Sequence, residues 1–172
     1  NSPAPNIVGL QNYIDIITNN IPQIANFDFA YTLFFNLFWT FSNVIFHVVI
    51  GVLIAVLLNA KGLWFKGIYR AIFVLPIVIP TLVVANVWRN MFDPDFGAIN
   101  QFLASMGGLI GISPATFHIR WLQSVAPPIP GIPLPLAYFA LLITNIWLGW
   151  PFMTIVATGA LQSISKDFYE AA

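Results

Sequence analysis

The chain has 172 residues, of which 59% are hydrophobic and only 7% are charged. Soluble domains carry about 25% charged residues, and a mean hydropathy of +0.84 excludes an ordinary water-exposed surface. Six basic and six acidic residues give zero net charge, so nothing marks a nucleic-acid footprint. The absence of cysteine excludes disulfides, thiolate metal sites and a cysteine nucleophile.

Charge is unevenly spread. Asp, Glu, Lys and Arg are missing from 29–60, 71–88 and 121–165. A membrane span needs about 20 mostly apolar residues, so the three gaps predict three transmembrane helices. Residues 1–30 form a polar, proline-containing approach segment outside the membrane. Within it Val8 to Ile17 predicts a short helix at the bilayer surface.

Helix A is predicted over 31–59, with Gly51 and Ala55 as a small-xxx-small pair that admits a close neighbour. Residues 60–67 form a connector. Helix B is predicted over 68–92. Pro76 and Pro80 remove backbone donors four residues apart, so this span is kinked or locally unwound.

A turn at Asp93-Pro94-Asp95-Phe96-Gly97 opens the 93–135 loop. Ile99, Phe102, Leu103 and Met106 then follow an i, i+3, i+4, i+7 pattern, predicting an amphipathic interfacial helix. The proline-rich stretch 126–135 is a stiff, extended connector. Helix C is predicted over 136–164, interrupted at Gly149-Trp150-Pro151. Lys61, Lys66 and Arg70 against Arg89 and Arg120 put 60–67 in the cytoplasm by the positive-inside rule. Parity then puts 165–172 in the cytoplasm and 93–135 outside.

Few residues could carry covalent chemistry. The sequence has no HExxH, no GxSxG and no P-loop, so neither an intramembrane hydrolase nor nucleotide binding by this chain is supported. No charge sits at the centre of a span, which argues against a proton-coupled transporter. His47 lacks an acidic or histidine partner one turn away and reads as making a helix-facing hydrogen bond or an interhelical contact, not a metal or proton site. His118 reads as a solvated loop residue.

Uncharged polar residues inside the spans include Asn36, Thr40, Ser42, Asn43, Asn86, Thr144, Thr154 and Thr158. They read as interhelical glue, worth about 0.6 kcal/mol each. Thr81 and Asn145 differ, because each lies beside an expected helix break, where free backbone groups need a wet cavity or a polar ligand. Trp147, Trp150 and Phe152 offer aromatic faces suited to sugar rings, although such residues also serve ordinary packing.

Asn145-Ile-Trp-Leu-Gly-Trp-Pro-Phe152 followed by Leu161-Gln-Ser-Ile-Ser-Lys-Asp-Phe-Tyr-Glu-Ala-Ala172 resembles the permease subunits of carbohydrate ABC importers. Within that family it is most similar to the sugar-site-forming permeases of maltose/maltodextrin type. Val8-Gly-Leu-Gln-Asn-Tyr13, Lys66-Gly-Ile-Tyr-Arg-Ala71 and Phe92-Asp-Pro-Asp-Phe-Gly-Ala-Ile-Asn100 extend the resemblance over nearly the whole chain. It implies an all-α, polytopic transmembrane bundle of the type I importer permease fold, in the bacterial inner membrane. The chain reads as an internal fragment of a longer permease, with three spans and an interfacial helix.

The resemblance further implies a second permease subunit, two cytoplasmic ATPase subunits, an extracytoplasmic sugar-binding protein and a sugar substrate. The chain itself would be no enzyme, would need no cofactor or metal, and would have the lipid bilayer around it. Thr81, Asn145, Leu148, Gly149 and Phe152 are the implied substrate-binding residues. Ser165, Asp167, Tyr169, Glu170, Ala171 and Ala172 are the implied start of the ATPase-coupling loop. Two departures stand out. Phe152 replaces the tyrosine of the maltose-type subunit, and Ser165 replaces the usual proline. A permease for another solute, such as glycerol phosphate, would need basic pocket residues that the spans lack. A non-transporting membrane scaffold is the other alternative.

Overall fold

The computed structural model describes residues 8–60 and 62–163. The elements are α1 (Gln11–Ile17), α2 (Phe29–Asn59), α3 (Lys66–Val78), α4 (Thr81–Met91), α5 (Ala98–Leu109), a 3-10 turn at Pro114–Phe117, and α6 (Leu136–Ser163). No strand occurs among the described residues, so the all-α expectation holds. The chain divides into two compact units, up to Phe41 and from Ser42.

In the first unit, α1 ends at Thr18, and Asn19 adopts φ 59°. The Asn19 Oδ1 then accepts from the Phe29 N–H at 2.7 Å. Asp28 starts α2, its Oδ1 accepting from the Tyr31 N–H at 3.0 Å. An aspartate there satisfies an orphan donor and suits the positive end of the helix. Asn36 and Thr40 donate to the carbonyls four residues earlier, at 2.8 and 2.9 Å.

The second unit contains the rest of α2 and all later elements. Two helices, α2 with 31 residues and α6 with 28, are long and apolar enough to cross a membrane; the α3–α4 pair makes a third span if counted as one. The kink expected in helix B is a complete break, with α3 and α4 meeting at 94°. Ile79 and Pro80 are extended there, with ψ 129° and 133°. Pro80 causes this: its ring excludes helical ψ from the residue before it, and it offers no N–H. Pro76 leaves α3 unbroken and is buried.

Helix C differs from expectation. Gly149-Trp150-Pro151 does not interrupt it, and α6 runs unbroken from Leu136 to Ser163. A proline deletes one i to i−4 bond, and the buried Pro151 sits where neighbouring helices hold α6 in place. Three contacts with α2 do this. The Tyr138 hydroxyl donates to Ser42 Oγ at 2.8 Å. The His47 ring meets α6 at Asn145 and Gly149. Gly51 lies against Met153 and Thr154, where any Cβ would collide with their backbone. Partners advance together along both chains, so α2 and α6 run parallel. The expected small-xxx-small face is real, with Gly51 and Ala55 both buried.

The α3–α4 pair runs the opposite way. Phe73 packs edge-on against Trp150 at 5.1 Å, and Trp88 against Trp147 at 5.9 Å. Outside the spans, Asn100 organises the 93–121 lobe. Its Nδ2 donates to the Pro94 and Ile119 carbonyls at 3.1 and 3.0 Å, and its Oδ1 accepts from Trp121 Nε1 at 2.8 Å. The expected apolar stripe of α5 is split. Ile99 and Leu103 are half-buried, whereas Phe102 and Met106 are exposed beside Leu109.

Candidate functional site

Asn145, Leu148, Gly149 and Phe152 lie at i, i+3, i+4 and i+7 of one continuous helix, hence on one face of α6. That face borders α2. His47 Nε2 lies 3.0 Å from the Asn145 carbonyl oxygen. The carbonyl can only accept, so the ring carries its proton on Nε2. A Cβ on Gly149 would run into the same ring. The glycine is therefore the reason an imidazole can lie flat on the helix. Of the two roles its sequence context allowed, a helix-facing bond or an interhelical contact, His47 takes the interhelical one.

The polar residues of the spans separate into two groups. Thr144 and Thr154 donate to the carbonyls of Ala140 and Trp150, at 3.0 and 3.1 Å. Asn59 and Asn86 do the same with Ala55 and Leu82. Such residues are satisfied within their own helix. The half-buried Asn145 side chain and the Thr81 hydroxyl form no hydrogen bond among the described residues. Thr81 is exposed at the first position of α4, immediately after the break. Asn145 does not lie beside a break, since α6 is continuous; its open side chain singles it out instead.

The aromatic residues also separate. Trp147 and Trp150 spend their rings on Trp88 and Phe73. Phe152 is 60% exposed and is the free aromatic surface of the candidate face. Leu148 is half-buried beside it. Ser165, Asp167, Tyr169, Glu170, Ala171 and Ala172 lie outside the described residues. Among the described residues, no cluster of three or more His, Asp or Glu could hold a metal ion.

Sequence reasoning missed the Tyr138–Ser42 bond and the Asn100 hub. Neither has a local signal, since their partners lie 96 and up to 21 residues away.

No protein-family model matches the chain. It is similar to several transport permeases over nearly its whole length. It is 31% identical over 170 residues to the trehalose/maltose transport system permease protein MalF of Thermococcus litoralis, covering 99% of this chain and 49% of that protein. It is 32% identical to the galactooligosaccharides transport system permease protein GanP of Bacillus subtilis, covering 96% of this chain and 35% of that protein. It is 34% identical to the maltose/maltodextrin transport system permease protein MalF of Vibrio cholerae, covering 92% of this chain and 28% of that protein. The chain thus spans half or less of the length of these relatives.

Proposed function

We propose, on the premise that this chain belongs to the MalF-like carbohydrate ABC transporter permeases, that it forms part of the sugar pathway of an ATP-driven importer. The sugar rests against Asn145, Leu148 and Phe152 on the α6 face whose Gly149 seats the His47 ring, with Thr81 a separate contact at the broken span. The observation that carries this reading is the Asn145 side chain. It is half-buried, without a hydrogen bond among the described residues, and two turns along the same helical face from an exposed aromatic ring. A sugar needs that combination: hydrogen-bonding groups for its hydroxyls and an apolar face for its C–H surface. The α3–α4 break, whose extended residues leave helix-end groups open to a wet cavity, belongs to the pair that packs on the Trp147–Trp150 side of α6 and is a separate polar point of the pathway.

The remaining subunits follow from the family. A second permease completes the bundle, two cytoplasmic ATPases drive it, and an external binding protein delivers sugar. Residues 165–172 carry the ATPase contact, and the cavity flips between the two sides of the membrane. The 60–67 connector and 165–172 are cytoplasmic and the 93–135 loop is external. The parallel α2 and α6, with α3–α4 running against them, support this arrangement.

Transport by variants of the full permease tests the site. Leaving a sugar hydroxyl unpaired costs about 1–3 kcal/mol. Asn145→Leu therefore lowers uptake roughly ten- to a hundredfold at limiting sugar. Asn36→Leu, whose amide is already satisfied by the Thr32 carbonyl, leaves sugar preference unchanged. Phe152→Tyr adds a hydroxyl and shifts preference among maltose, trehalose and galactooligosaccharides. Unaltered uptake and preference in both Asn145→Leu and Phe152→Tyr would place the sugar on other helices.

A further inference from the structure

Toward the C-terminal end of α6, α3 and α6 part to leave a cavity of about 400 Å³. Arg70, Phe73 and Val74 line it from α3; Ile155, Thr158 and Gln162 line it from α6. This cavity lies apart from the sugar face, with which it shares no residue. Its walls are mostly apolar, and each of its polar side chains, Arg70, Thr154, Thr158 and Gln162, can donate a hydrogen bond. Arg70 forms no ion pair among the described residues. Thr158 and Gln162 make no side-chain hydrogen bond there, although Thr154, one turn earlier, is satisfied by the Trp150 carbonyl. A cation at the edge of a membrane-crossing helix pair does not stay without a counter-charge at no cost. The three open groups line one cavity and suit an anion with several acceptor oxygens, and the apolar walls suit one that carries a hydrocarbon body.

We infer that the cavity holds the headgroup of an anionic phospholipid. Its phosphate faces the Arg70 guanidinium and accepts from Thr158 and Gln162, and an acyl chain runs along Phe73, Val74 and Ile155. Free phosphate would leave those walls bare. A neighbouring apolar helix would leave Arg70 without a counter-charge. Lys66, one turn before Arg70, has its ammonium engaged by the Ala60 carbonyl at 2.7 Å. It does not line the cavity. Basic pockets between transmembrane helices are recurrent sites for such headgroups.

The test uses the full permease, purified with its accompanying subunits and placed in nanodiscs of equal parts phosphatidylcholine and phosphatidylglycerol. Native mass spectrometry counts the phosphatidylglycerol retained after delipidation. Arg70→Gln weakens retention of one lipid by about fivefold, the share of a single interfacial cation. Arg70→Lys keeps most of it, which separates the charge from any effect on folding. Lys66→Gln keeps all of it. Unchanged retention in Arg70→Gln, or an equal loss in Lys66→Gln, overturns the site. A cysteine at Thr158 supplies the second readout. Phosphatidylglycerol protects it from maleimide, and inorganic phosphate in phosphatidylcholine discs does not. Equal protection by inorganic phosphate means a soluble anion, and a cysteine unreactive in every disc means a protein helix fills the cavity; either result overturns the proposal.

Discussion

Gly149 decides how α2 and α6 meet. Without a Cβ, it receives the His47 ring, and the ring in turn donates to the Asn145 carbonyl one turn earlier. One small residue thus fixes the backbone that presents Asn145 and Phe152. Gly149→Leu forces the ring off the helix and costs about 1–3 kcal/mol in overpacking. The expected outcome is a fall in the thermal midpoint of the purified permease together with lost sugar uptake. Adding His47→Ala makes room for the leucine and restores part of the midpoint. A double variant no more stable than Gly149→Leu alone would show that the strain lies elsewhere. The pairing was half legible in the sequence. His47 lacked a local partner, which left an interhelical contact as one of two readings, but its partner 98 residues away left no local trace.

Element boundaries were legible wherever one strong local force acts. The long apolar runs predicted α2 and α6 to within two residues at each end, because a charge-free stretch in a membrane protein has few alternatives. Proline was legible only in part. Pro80 breaks its span by 94° and Pro151 breaks nothing. The difference is tertiary, since α6 is gripped by α2 and α3 on either side of Pro151 while Ile79 and Pro80 bridge two separate helices. The α5 stripe misled for a similar reason: Asn100, a polar residue, became the buried hub of its lobe.

That lobe begins at a turn held by Asp93, whose Oδ1 accepts from the Asp95 and Phe96 N–H groups, both at 2.9 Å. These two bonds hold its carboxyl below the usual range, opposed by slight desolvation and aided weakly by His118. A carboxyl whose folded pKa is depressed adds stability above its unfolded pKa and loses it as pH falls through the folded value. Amide exchange at Asp95 and Phe96 therefore accelerates as pH falls below about 4, after correction for the intrinsic exchange rate. Asp93→Asn abolishes that pH dependence. A wild-type profile flat through this range would show that the turn is held by its backbone alone.

At the scale of the molecule, the structure joins two parallel apolar helices by the bent α3–α4 pair and leaves Asn145 and Phe152 with open side chains on one face of α6. On the proposed function, the energy for transport comes from ATPase subunits outside the chain. Residues 165–172, where that energy would enter, lie outside the described residues, and their role rests on the sequence alone. Tyr169, Glu170, Ala171 and Ala172 resemble the opening of a loop that docks in a groove of an ATPase. Reversing the charge of Glu170 inside such a groove leaves an unpaired or repelled ammonium, a change worth several kcal/mol when buried. The most direct measurement is ATP-dependent uptake of a radiolabelled sugar panel into proteoliposomes. These would hold the complete transporter and its external binding protein, as wild type and as Glu170→Lys. The expected result is ATP-dependent accumulation of at least one sugar by the wild type, and its loss in Glu170→Lys while the ATPase still co-purifies. No ATP-dependent uptake of any sugar by the wild type, or equal uptake by the variant, would contradict it.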